Sequence, residues 1–185
     1  TSSNGMEDGL VAVDINGDSK LDLLATDNTG NSLSVLIGNG NGTFQARTSY
    51  STGVARGLRT ADFNSDGQLD IVMGTTTGMY VLMGNGNGTF KAQSRITTAP
   101  AIAGLQVADF NNDGRMDMLS FEDSSGTIAL GNGDGSFRIS TLNLGSIWSL
   151  SAEVGDVNRD GIVDIVLDDY HSPTYGHTIH VLLGN

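Results

Sequence analysis

The chain has 185 residues and a formal net charge of −12, with 21 acidic residues, nine Lys and Arg, and no cysteine. This length suffices for one ordinary domain with a real core, and without cysteine there is no disulfide framework and no thiol chemistry. The basic residues form no run, which argues against a nucleic-acid partner, and no 18-residue apolar span marks a membrane-crossing helix.

No secretory leader opens the chain at Thr1, which suggests a mature form or a segment. Glycine, at 26 residues, is about twice as frequent as usual and falls mostly in repeated turns. Helix signals are nearly absent.

Internal repeats dominate. Units begin near Gly9, Gly57, Gly104 and Ser151, so residues 1–185 read as one segment of four repeats, at about 9–56, 57–103, 104–150 and 151–185. Each unit opens with a short strand: Leu10 to Val13, Leu58 to Ala61, Leu105 to Ala108, Ala152 to Gly155. A nine-residue acidic loop follows. A second strand leaves it: Leu21 to Thr26, Leu69 to Thr75, Met116 to Phe121, Val163 to Leu167. A third ends in a glycine turn: Leu33 to Gly38, Met79 to Gly84, Thr127 to Gly131, Ile179 to Gly184. A fourth comes after the turn: Thr43 to Tyr50, Thr89 to Ile96, Ser136 to Leu142.

Short strands punctuated by turn chemistry make the class all-β. The second and third strands are apolar on both faces, as Leu23 beside Leu24 and Val81 beside Leu82 show. Such strands need cover on both sides, which is the situation of a β-propeller blade between two like blades. Small residues end the first strands (Val13, Ala61, Ala108, Gly155), as an innermost strand near a crowded axis requires.

The turns Gly38 to Phe44, Gly84 to Phe90 and Gly131 to Phe137 alternate Gly with Asn or Asp, which favours positive φ and tight hairpins. A phosphate cradle is disfavoured, because no helix follows. The phenylalanines read as core plugs. Asn41-Gly42-Thr43 and Asn87-Gly88-Thr89 match glycosylation acceptors and read as by-products of the turn.

The acidic loops carry the chemistry. Asp62-Phe63-Asn64-Ser65-Asp66-Gly67-Gln68-Leu69-Asp70 has counterparts starting at Asp14, Asp109 and Asp156, at spacings of 62−14 = 48, 109−62 = 47 and 156−109 = 47 residues. Oxygen side chains at positions 1, 3, 5 and 9, with glycine at 6, suit a hard cation such as calcium. The candidate ligands are Asp14, Asn16, Asp18 and Asp22; Asp62, Asn64, Asp66 and Asp70; Asp109, Asn111, Asp113 and Asp117; and Asp156, Asn158, Asp160 and Asp164. Backbone carbonyls at position 7 would come from Lys20, Gln68, Arg115 and Ile162. One such loop reads equally as an Asx-turn; four in constant spacing favour the metal. Ser19 stands where the other loops have Gly67, Gly114 and Gly161, so the first site is expected to be the loosest. The loops hold twelve of the 21 acidic residues, and four calcium ions would leave a net charge of about −4.

D-x-N-x-D-G-x-x-D, then an L-D-I/L-V strand, then V-L-x-G-N-G-N-G-T-F, resembles the FG-GAP/VCBS repeat over essentially the whole chain. That family builds calcium-bearing β-propellers, as in integrin α-subunit heads, certain fungal lectins and many secreted bacterial proteins. The resemblance implies calcium at the four loops, four-stranded blades, and a secreted or cell-surface role in recognition or adhesion. The integrin-type F-G and G-A-P tripeptides are absent, which puts the match nearer the VCBS style. The fourth repeat stops before its last strand, and residues 1–8 align with 49–56 rather than supplying it. A partial ring, or one completed by another chain, is expected, with an open apolar face that invites association.

Other candidates are few. Repeat 4 carries an insertion with Tyr170, His171, Tyr175, His177 and His180, which reads as a ligand loop, a transition-metal site or a plain surface loop. Trp148 lies in a segment linking blades, where it either stacks on a sugar or fills a blade interface. Arg59, Gln106 and Glu153 occupy equivalent places beside the inner strands, at a channel mouth or simply solvated.

The leading expectation is a non-catalytic recognition module with structural calcium, binding glycan or, next, protein. The alternatives are the propeller part of a carbohydrate-active enzyme, such as a polysaccharide lyase, and a structural spacer in an adhesin or surface protein. An enzyme is not expected: neither G-x-S-x-G nor H-E-x-x-H occurs, and only the repeat-4 insertion offers catalytic groups.

Overall fold

The computed structural model describes residues 9–27, 31–98, 103–122, 125–145, 147, 149–169 and 178–184. Among them are fifteen strands and no helix. The first blade contains β1 (Leu10–Val13), β2 (Asp22–Asp27), β3 (Ser32–Leu36) and β4 (Thr48–Ser51). The second contains β5 (Ala55–Ala61), β6 (Asp70–Thr75), β7 (Gly78–Leu82) and β8 (Ser94–Thr97). The third contains β9 (Ala103–Ala108), β10 (Asp117–Glu122), β11 (Ser125–Gly131) and β12 (Phe137–Asn143). The fourth has β13 (Ser149–Gly155), β14 (Asp164–Asp169) and β15 (Thr178–Leu182).

Each sheet is an antiparallel meander, with four strands in the first three blades and three in the last. The first strands of successive blades touch, as innermost strands do. Glycine permits that approach: a Cβ at Gly9 would lie 2.6 Å from Leu58 Cβ, and one at Gly57 3.2 Å from Leu105 Cβ.

The core is three clusters, one at each interface between blades. Leu24, Leu33 and Val35 meet Leu58, Ile71 and Met73; Val72, Met79 and Val81 meet Leu105 and Met118; Leu119 and Phe121 meet Ala152, Ile165 and Leu167. Pairing places Val72 and Val81 on one face of the second blade, with Ile71 and Leu82 on the other. This is why both parities of these strands are apolar. Full burial of one such side chain stabilises by about 1.5–3 kcal/mol.

Two local expectations need correction. The first two outer strands are shorter than the expected Thr43 to Tyr50 and Thr89 to Ile96, starting only at Thr48 and Ser94. After the isolated bridges Gly38–Phe44 and Gly84–Phe90 the chain is irregular, with Gln45 N–H and Lys91 N–H held by the carbonyls of Ile37 and Met83. The phenylalanines do not plug equivalently either. Phe90 is buried edge-on to Tyr50 of the first blade, with centroids 5.7 Å apart, and Phe137 meets Phe63 at 5.6 Å. Phe44, in the first blade, is exposed.

Candidate functional site

The four acidic loops join the first and second strands of their blades and share one conformation. The position-1 carboxylate gathers the amides ahead of it: Asp62 Oδ1 accepts from Asp66 N–H at 3.2 Å and Oδ2 from Gly67 N–H at 2.8 Å. Asn64 Oδ1 accepts from Asp66 N–H, and Asp66 Oδ1 from Gln68 N–H. The loops at Asp109 and Asp156 repeat each of these bonds. Short acidic and amide side chains suit this, because their oxygens reach amides two to five residues on.

Two positions are left-handed, where the sequence pattern points to one. Position 6 has φ of 80°, 82° and 86° at Gly67, Gly114 and Gly161, and 64° at Ser19. Position 4 is also left-handed, at Ser65, Asn112 and Arg159, and at Gly17 in the first loop. Every loop thus has one glycine and one strained residue in this pair. The first loop has exchanged them, so Ser19 adds no strain that the other loops lack.

The first loop differs instead in its hydrogen bonds. Asp14 Oδ1 accepts two amides, Gly17 at 2.8 Å and Asp18 at 3.1 Å. Lys20 Nζ pairs with Asp18 Oδ2 at 3.2 Å, the oxygen that Asn64, Asn111 and Asn158 serve in the other loops, where only Asp113 adds a cation, Arg115 at 3.4 Å.

Position 9 stands apart. Asp22, Asp70, Asp117 and Asp164 are closed to solvent. Asp70 Oδ2 accepts the amide of Phe63 at 3.0 Å and Oδ1 that of Gly84 at 2.8 Å. The other three clamp Ile15 and Gly38, Phe110 and Gly131, and Val157 and Gly184. One carboxylate thereby ties the loop to the glycine turn, a role the spacing of the loop did not disclose. The signal was the matching glycine before each turn. A Cβ at Gly38, Gly84 or Gly131 would collide with the carbonyl oxygen of Leu21, Leu69 or Met116.

Burial, first, and then the charges of Asp66 and Asp62 push the Asp70 carboxyl up, against the two amides that lower it. Asp117 is raised in the same way by burial and by Asp113 and Asp109. Asp164, in the fourth blade, is lowered, first by the Gly184 amide. Position 9 therefore shares a field with positions 1 and 5. Among the described residues, no three carboxylate or histidine side chains converge as a preformed metal cluster. The donor set nonetheless fits a hard divalent cation. Asp62, Asn64 and Asp66 offer oxygens with unspent lone pairs, the Gln68 carbonyl follows, and repulsion on Asp70 awaits a compensating charge.

Trp148, Tyr170, His171, Tyr175 and His177 lie outside the described residues. His180 Nε2 sits 3.2 Å from Asp169 Oδ2. Gln106 is buried and donates to the Ala152 carbonyl of the next inner strand. Arg59 caps the carbonyl of Leu58, and Glu153 is exposed. These three do not assemble a site.

A family model described as an FG-GAP-like repeat matches residues 14–73, 62–120 and 109–167. No curated protein matches the sequence. Among solved structures, a lectin of Agrocybe aegerita that recognises non-reducing terminal N-acetylglucosamine is similar, with TM-score 0.63, 21% identity, and coverage of 95% of this chain and 52% of that one. BBS1N, solved in complex with ARL6DN, is similar with TM-score 0.64 and 10% identity, over 97% of this chain and 57% of that one. The Photorhabdus luminescens Tc holotoxin pore is similar with TM-score 0.50 and 16% identity, over 96% of this chain and 11% of that one. The chain spans about half the length of the first and second of these, and at such identities the likeness is one of fold.

Proposed function

Because the chain belongs to the FG-GAP-like repeat family, we propose that it is a calcium-stabilised recognition module of the cell exterior, with glycan as its first partner class and protein as its second. The observation that carries this reading is the fourfold repetition of one oxygen-rich loop in blades whose fold resembles that of a sugar-binding lectin. Calcium in these loops has a structural part. It offsets the repulsion among Asp62, Asp66 and Asp70 and their counterparts, and couples ion binding to folding. The ligands of each loop come from nine consecutive residues of one blade, so the ion holds the turn between the first and second strands. Catalysis is not part of this reading.

The test is glycan-array binding of the calcium-loaded chain, with sugar competition and a chelated control. Binding that one sugar competes away supports the reading. A folded, calcium-loaded protein that binds no glycan moves the partner to protein. Calcium itself is tested by titration calorimetry, and absence of binding heat and of any thermal shift would overturn the metal assignment.

A further inference from the structure

The three glycines of the turn from Gly131 to Phe137 divide three tasks. Gly131 N–H donates at 2.8 Å to Asp117 Oδ1, the position-9 carboxylate of its own loop. Gly133 lies under Arg115, position 7 of the same loop, and a Cβ there would stand 3.1 Å from Arg115 Cδ. Gly135 faces the blade before. Its N–H donates to the Phe63 carbonyl at 3.2 Å, and a Cβ there would collide with Met83 and lie 3.7 Å from Asn64 Cβ. The turn of the second blade repeats the division: Gly84 is held by Asp70, Gly86 lies under Gln68, and Gly88 packs against Ile37 and Asn16 of the first blade. Each of these turns therefore touches two acidic loops, its own and that of the preceding blade.

Between its two contacts the turn of the third blade is braced. Asn132 N–H donates to the Ser136 carbonyl and Asn132 Nδ2 to Ser136 Oγ, both at 2.9 Å. Ser136 N–H and Oγ both donate to Asp134 Oδ1. On the far side of the interface, Phe63 N–H is held by Asp70 Oδ2 at 3.0 Å. A path of hydrogen bonds thus runs from Asp70 through Phe63 and the turn to Asp117. Asn64, a candidate ligand, shares a peptide bond with the Phe63 carbonyl on that path.

We propose that this turn couples the calcium sites of the second and third blades, so that an ion in either loop tightens binding in the other. The proposal rests on the calcium reading above. Asn64, once it holds an ion, fixes the peptide it shares with Phe63 and so steadies the acceptor of Gly135. The turn, steadied there, presents Gly131 to Asp117 with less ordering left to do, and the second ion meets a loop already fixed. By linkage the effect is the same in the other direction.

Titration calorimetry of the full chain in three backgrounds tests this. Asp14→Ala with Asp156→Ala keeps the second and third loops. Asp14→Ala with Asp109→Ala keeps the second and fourth, which this turn does not join. The triple variant keeps the second loop alone. Circular dichroism without calcium checks that each is folded. The second loop should bind calcium at least about fivefold more weakly alone than beside an occupied third loop, and the second and fourth loops should bind independently. In the first background Gly135→Ala pushes the turn off Phe63 and abolishes the coupling while both ions still bind. Gly42→Ala is the matched control, with φ of 84° against 81° but no atom within 4 Å of the new Cβ, and leaves the coupling unchanged. Where a loop variant unfolds, the comparison of Gly135→Ala with Gly42→Ala in the otherwise unaltered chain decides. Independent binding by the second and third loops, or equal coupling between the second and fourth, overturns the proposal and leaves the calcium reading intact. A folded chain that binds no calcium overturns both.

Discussion

Asp70 and Gly84, fourteen residues apart, are joined at 2.8 Å by a carboxylate oxygen and a backbone amide. The second oxygen of Asp70 holds the amide of Phe63, so one buried side chain fixes both ends of its loop. Asp70→Asn keeps one acceptor and turns an NH2 toward the other amide. Leaving a buried donor unpaired costs about 1–3 kcal/mol. The loss should persist in chelator, as urea unfolding with and without calcium will show. Asp62→Asn, at the exposed end of the loop, should instead lower stability chiefly when calcium is present.

Gly84→Ala places a Cβ against the Leu69 carbonyl oxygen, where only backbone can yield. The expected loss is more than about 2 kcal/mol. Gly42→Ala has free space but a positive φ of 84°, and should cost about 1 kcal/mol. Thermal melts of the two variants side by side separate collision from backbone strain.

Ser19→Gly removes a left-handed non-glycine residue, φ 64°, and should stabilise by about 0.5–1 kcal/mol with calcium absent. Lys20→Ala frees Asp18 Oδ2 from its ion pair and should tighten calcium at the first loop, read as a higher-affinity phase in titration calorimetry.

Calcium at one hundred times its dissociation constant should add about 2.7 kcal/mol per occupied site. Chelation should reverse the gain. The increment should depend on pH. The Asp70 and Asp117 carboxyls are raised above the usual 3.8 in the metal-free fold. The folded chain then holds protons that the unfolded chain has released, so these two groups favour folding most at low pH, and that help is lost as pH rises through the folded value. Calcium competes with those protons. Its stabilising increment should therefore be larger at neutral pH than near pH 4–5, and melts with and without calcium at the two pH values check this. An increment indifferent to pH would remove the carboxylates from the binding.

The repeat, the blades and the acidic loops were all legible in the sequence. Each is local: a loop closes within nine residues, and Asn64 reaches an amide only two residues on. The short fourth repeat was legible for the same reason, as three strands in the last sheet show. What tertiary structure alone decided depends on residues brought together by the hairpins of a blade or by the neighbouring blade. Asp70 reads as a loop oxygen, yet Gly84, brought near by the hairpin, makes it a buried clamp. Phe44 and Phe90 stand in the same motif, but only Phe90 has Tyr50 of a preceding blade to cover it. Leu10 of β1 and Leu58 of β5 hold equivalent places in the repeat, and one is exposed while the other is sealed, because burial belongs to the pair of surfaces and not to the residue.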